Sequence, residues 1–251
     1  MKQLRELQSH FQVFPKVSSH KKDFIQNYVG GGQSDLQYLA LSIPQVRAIL
    51  KNKLDLYNLP LDRQFEIFEK NWFASNVFEV MAISLFWLEK LKDEELARYA
   101  KKLVKWSARI DNWAHSDGLC GIYARIFEYD PRLLLATYQK WNKSSQPWLR
   151  RISMVGLMYY SRLRQSHPEF QLCVQMVQPH FSATEYYVQK AVGWTLREMY
   201  NVYPKQTLQL IEVHLSNITP IAWVAASEKL PQTSKKKLLE RRRLDRRRRQ
   251  A

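Results

Sequence analysis

The stretch WLRRISMVGL, residues 148–157, opens on an aromatic residue and then sets Ile152 and Val155 four and seven positions on, which is one face of a helix. Three other stretches share its register: FEVMAISL from Phe78, WAHSDGLC from Trp113 and YVQKAVGW from Tyr187. Their opening aromatics stand 35, 35 and 39 residues apart, the period of stacked helix pairs. Between them lie apolar runs suited to partner helices, Lys92 to Trp106, Pro131 to Trp141 and Phe170 to His180. The pattern predicts an all-α chain of about a dozen helices, stacked as antiparallel pairs in a right-handed solenoid.

Start signals support that division. Ser42 precedes Ile43 and Pro44, Asp130 precedes Pro131, Ser145 stands just before Pro147, and Ser182 with Glu185 has capping-box spacing. The chain of 251 residues holds only 7 Gly, and its glycine-bearing stretch Gly30 to Ser34 lacks the Lys-Ser/Thr ending of a phosphate loop. That stretch reads as a helix-to-helix connection.

Charge points to an anionic partner. Lys and Arg total 39 against 23 Asp and Glu, a net +16, and half of that excess lies in Lys235 to Arg249. The body, residues 1–233, is therefore basic by itself and reads as a single domain; residues 234–251 read as a flexible basic arm. Cys120 and Cys173 sit in apolar runs with no C-x-x-C spacing, so they read as buried thiols in a reducing, cytoplasmic compartment. No long apolar run predicts a membrane span, and the six histidines have no ligand spacing for a metal. The expectation is of a monomer that needs no cofactor.

The register also exposes two misfits. At the fourth position after each aromatic stand Ala82, Asp117, Ile152 and Ala191; at the seventh, Leu85, Cys120, Val155 and Trp194. Asp117 and Trp194 thus occupy a stripe meant for packing, and Arg151 and Lys190 bring positive charge beside it at the third position. An unpaired carboxylate there costs several kcal/mol, so Asp117 either pairs with a cation such as Arg151 or faces a solvent-filled groove. Trp113, Trp148 and Trp194 individually read as ordinary packing.

These residues resemble a known family. IDNWAHSDGL (Ile110 to Leu119), WLRRISMVGL (Trp148 to Leu157) and VQKAVGWTLRE (Val188 to Glu198) are similar to the three active-site helices of the AlkD-like DNA glycosylases, which are HEAT-repeat enzymes. LALSIPQVRAILK (Leu39 to Lys51) and NVFEVMAISLFWLEKL (Asn76 to Leu91) resemble that family's preceding helices, so the likeness runs from about residue 20 to residue 228. It implies a HEAT-like solenoid with a concave basic groove that holds duplex DNA containing alkylated purines. It further implies a catalytic trio of Asp117, Trp113 and Trp194, with Arg151 rather than Arg150 as the matched DNA-contacting arginine. Lys190, Arg197, Trp148, Arg150 and Arg47 join it as DNA-binding residues.

The implied activity is hydrolysis of the N-glycosidic bond of cationic N3- or N7-alkylpurines by a monofunctional DNA-repair glycosylase. Ala114 and Ser116 replace an acid and an aliphatic found in many members, and His115 and Gly118 also depart from the pattern. Two alternatives stay open: a non-catalytic HEAT-repeat DNA-binding module, which the departures favour, and a protein-interaction solenoid with a basic tail. Retained Asp117 favours the enzyme.

Overall fold

The computed structural model describes residues 2–14, 17–31 and 34–250. Among them the chain is helical and forms no strand, only an isolated bridge between Gln37 and Val77. Packing divides it into two compact units, Met1–Ile122 and Tyr123–Ala251, and the division falls inside one helix.

In the first unit the helices are α1 (Lys2–Ser9), α2 (Ser19–Gly30), α3 (Ile43–Ile49), α4 (Leu61–Ala74), α5 (Phe78–Leu88), α6 (Asp93–Arg98), α7 (Ala100–Val104) and the start of α8 (Trp113–Tyr129). The signals around Ser42 work as the sequence suggests: its hydroxyl accepts from Gln45 N–H while the Gln45 side chain accepts from Ser42 N–H. Helix α4 packs against α5, whose apolar composition on all sides leaves it buried on nearly every face. Aromatic rings fill the space between helices, with Phe65 stacked on Tyr99 at 4.0 Å, Phe68 on Trp87 at 4.5 Å and Trp72 on Trp106 at 5.2 Å.

Two expectations are adjusted here. The run Lys92 to Trp106 is not one helix but α6, α7 and a 3-10 turn over Lys105–Arg109. The break comes at Tyr99, whose hydroxyl donates to Asp62 at 2.6 Å while its ring is held on Phe65. Of the connection Gly30 to Ser34, Gly30 ends α2 and Ser34 is buried; Gly32 and Gln33 lie outside the described residues.

The second unit continues α8 and adds α9 (Leu135–Asn142), α10 (Pro147–Met158), α11 (Phe170–Val177), α12 (Tyr186–Val202), α13 (Pro204–Val213), α14 (Pro220–Ala226) and α15 (Gln232–Gln250). Helix α12 is its hub and packs on α10, α11, α13 and α14. Proline opens α10, α13 and α14, where its missing N–H costs nothing. The expected capping box of Ser182 with Glu185 does not form: Glu185 is itself the N-cap of α12, makes no side-chain cap bond, and pairs instead with Arg150.

The largest departure is the basic tail. The stretch expected to be a flexible arm is helix α15, because Leu238 is buried and Arg242 is engaged by the body. Charge density favoured a solvated coil, but one leucine and one arginine at i and i+4 supply a docked face that composition averages conceal.

Candidate functional site

The start of α8 is built by Asp111 and Asn112. Asn112 is buried; its Oδ1 accepts from His115 N–H at 2.9 Å, which caps the helix, and its Nδ2 donates to Asp111 Oδ1 at 2.9 Å. Asp111 is held in turn by the Ser34 hydroxyl at 2.8 Å. This fixes the first turn and therefore the direction of Trp113, its first residue, and of Asp117 one turn on.

Trp113 is half-buried. Its indole N–H donates to the Tyr28 carbonyl at 2.9 Å, and its ring meets the Tyr28 ring edge-on at 5.5 Å. Tyr28 stacks on Phe24, and both rings are mostly exposed on α2. Asp117 is also half-buried, unlike its register mates Ala82, Ile152 and Ala191, which are buried. The stripe misfit thus stands where the stripe reaches the surface.

Two of the departures beside Asp117 have structural reasons. His115 is buried against Phe78, stacked at 4.4 Å, with its ring nitrogens 3.1 Å from the Phe78 carbonyl and from Asn112 Nδ2. Donation from Nε2 to the carbonyl and acceptance at Nδ1 fit the neutral ring, and burial pushes its pKa down to about 3. Gly118 leaves room for Leu85, whose Cδ1 lies 2.8 Å from where a Cβ would stand.

The histidine gives a pH prediction. Unfolded His115 takes up a proton near pH 6.5 and the native one only near 3, so in that window the unfolded state binds more protons and stability falls as pH falls. The loss approaches about 1.4 kcal/mol per pH unit from this residue. His180, lowered by burial as well, acts in the same direction. Urea unfolding at pH 7 and pH 5 should show a drop that His115→Gln makes smaller; an unchanged drop would refute the assignment.

In the second unit Trp194 is half-buried on α12 beside Tyr159 and Tyr160, each at 5.8 Å, with the Arg197 guanidinium 5.4 Å from its ring. Tyr160 has φ 40, a left-handed conformation that strains a tyrosine. Glu198 holds this turn in place: its Oε2 accepts from Ser161 N–H at 2.9 Å and Ser161 Oγ–H at 2.8 Å, and its Oε1 from Arg197 Nε at 3.1 Å. Glu198→Ala would leave the buried Ser161 N–H and hydroxyl unmatched and should lower stability by about 2 kcal/mol. Chemical denaturation measures this, and a loss below about 0.5 kcal/mol would show the network to be dispensable.

The expected DNA-contacting cations fall into three groups. Arg47, Arg150 and Arg197 are paired with carboxylates, on Glu89, Glu185 and Glu198 with Glu228. Arg151 is 5 % exposed and donates to the Tyr187 carbonyl at 3.1 Å, so much of its reach is spent between α10 and α12. Lys190 is exposed. Trp148 is half-buried, stacked on Tyr187 at 4.7 Å. Tyr28, Tyr160 and Glu198 escaped the sequence reading, since each acts through a carbonyl, a backbone conformation or a network that no spacing encodes.

Both cysteines are buried thiols, and burial pushes the Cys173 thiol up to about 12. Among the described residues no cluster of three His, Cys, Asp or Glu could hold a metal ion, and no helix is long and apolar enough to cross a membrane.

A family model described as DNA alkylation repair enzyme matches residues 4–230, nearly the whole chain. The chain belongs to that family. Its helical fold is shared with a predicted DNA alkylation repair enzyme from Enterococcus faecalis, at 13 % identity and TM-score 0.67, covering 88 % of this chain and 99 % of that one. Similarity extends to smu.31 from Streptococcus mutans UA159, at 16 % identity and TM-score 0.54, covering 91 % and 100 %. AlkD2 from Streptococcus mutans matches at 16 % identity and TM-score 0.49, covering 91 % and 98 %. No curated protein sequence matches. Membership in a DNA alkylation repair family implies a DNA substrate for this chain.

Proposed function

We propose that this alkylation repair family member is a monofunctional DNA glycosylase that releases cationic N3- or N7-alkylpurines from duplex DNA. The observation that carries the reading is the pair Trp113 and Asp117, one turn apart at the start of α8. The indole is pinned by its N–H to a backbone carbonyl, and the carboxylate is half-exposed where other repeats bury an aliphatic group.

The chemistry suits a carboxylate and indoles. An N3- or N7-alkylated purine is already cationic, so it leaves as a neutral base without a general acid. The C1′–N bond breaks, positive charge develops on the sugar, and water adds at C1′; one proton passes to solvent and an abasic site remains. Asp117 stabilises the sugar cation electrostatically and orients the water. Indole ring faces attract cations of this kind, each contact contributing about 0.5–2 kcal/mol, and that is the role proposed for Trp113 and for Trp194. Lys190 is a phosphate contact that orients the strand without reading sequence. Arg151 and Arg150 act mainly by positioning α10 and α12.

The test is incubation of the chain with duplex DNA carrying one N7-methylguanine, followed by assay of free base. Release of 7-methylguanine supports the reading. Binding without release would make the chain a non-catalytic DNA-binding member of its family.

A further inference from the structure

The cations of α15 have no part in the chemistry above. One side of this helix is used inside its own unit: Leu238 is 1 % exposed, and Arg242 donates from its two terminal nitrogens to the carbonyls of Leu215 at 2.7 Å and Ile218 at 2.9 Å. The Arg242 guanidinium also lies 5.1 Å from the centre of the Trp223 ring. Asp245, three residues on, falls on the same side.

The other side is a row of charge. Lys236, Arg243 and Arg247 follow one line along the helix, with the exposed Glu240 between the first two and Lys237 and Arg241 to one side. All five are exposed, and none joins an ion pair among the described residues. Lys236 and Arg247 are separated by about 16 Å along the axis at the α-helical rise. The like-charged i, i+4 pairs Lys237–Arg241 and Arg243–Arg247 weaken an isolated helix, and the Leu238 and Arg242 anchor offsets this.

We propose that the outer face of α15 is an auxiliary DNA contact that grips the sugar-phosphate backbone of duplex DNA. The proposal rests on the DNA substrate of the family and not on chemistry at Asp117. Charge complementarity selects a polyanion. Residues 232–250 include no aromatic side chain, so the stacking that single-strand binders rely on is missing there, and backbone contact is what remains. A membrane is disfavoured because the buried leucine is spent on the body and Leu244 is a lone exposed apolar group.

The test is a full-length variant with Lys236, Lys237, Arg241, Arg243 and Arg247 changed to Gln, which keeps Leu238, Arg242 and helix propensity. Binding to undamaged duplex DNA should weaken at least tenfold at low salt, and the slope of log K against log salt should become shallower by up to about four units. Single-turnover base release at saturating enzyme should be unchanged. If the five-fold variant does not fold, the pairs K236Q/K237Q and R243Q/R247Q should each remove about two units of slope. Unchanged affinity and slope would overturn the proposal, as would a larger loss on single-stranded DNA or on duplex RNA than on duplex DNA. Absence of base release from the unmodified chain would defeat the glycosylase reading and leave this binding result intact.

Discussion

Asp117→Asn is expected to cut release of 7-methylguanine from duplex DNA by about 10²-fold or more, the scale on which a preorganised electrostatic group acts. Asparagine keeps the shape and removes the charge, so the developing sugar cation loses its counter-charge while the helix keeps its packing. DNA affinity should hold or rise slightly, because the carboxylate no longer repels phosphate. The melting temperature should stay within a few degrees, as Asp117 is only half-buried. Equal single-turnover rates for the two proteins would sink the catalytic role. A variant that fails to fold would show instead that the carboxylate's main work is an ion pair.

The helix-pair pattern was legible because each register aromatic begins, or follows within one residue, a helix: α5, α8, α10 and α12 start at Phe78, Trp113, Pro147 and Tyr186. Periodic apolar spacing carries that information locally. The fate of the charges was not legible. Arg47, Arg150 and Arg197 read as cations awaiting phosphate, yet each meets a glutamate 31 to 42 residues away or next in sequence, and such pairings follow from packing rather than from spacing. The tail misled for the same reason: ten like charges outweigh one leucine in any average, but Leu238 has a site on the body and Arg242 has two carbonyls. Asp117 could be singled out because a carboxylate on a packing stripe is a local contradiction, visible without knowing its neighbours. The Tyr28 carbonyl that fixes Trp113 lies 85 residues from it and had no such mark.

The segment VQKAVGWTLRE holds a second local contradiction, and it gives the largest expected loss of stability. Gly193 stands in the middle of α12, where glycine costs about 1 kcal/mol relative to alanine, so substitution by alanine would ordinarily stabilise the helix. Here the opposite is expected. A Cβ at Gly193 would lie 2.2 Å from the Ala222 carbonyl oxygen, 2.9 Å from its carbonyl carbon and 3.0 Å from its Cα. These are backbone atoms of α14 and cannot turn aside as a side chain would. Helix α14 would have to retreat by roughly 1 Å, loosening a close-packed contact in which Ala222 is fully buried and Trp223 nearly so. Gly193→Ala should therefore cost about 3 kcal/mol or more despite its better helix propensity, and Gly193→Ser no less. Because Trp194 is the next residue, the same shift should turn its indole against Tyr159 and Tyr160 and lower base release even where the chain remains folded. Thermal denaturation and single-turnover release measured on the same preparations separate the two effects. An alanine variant as stable as the parent would mean that α12 and α14 do not approach this closely in solution.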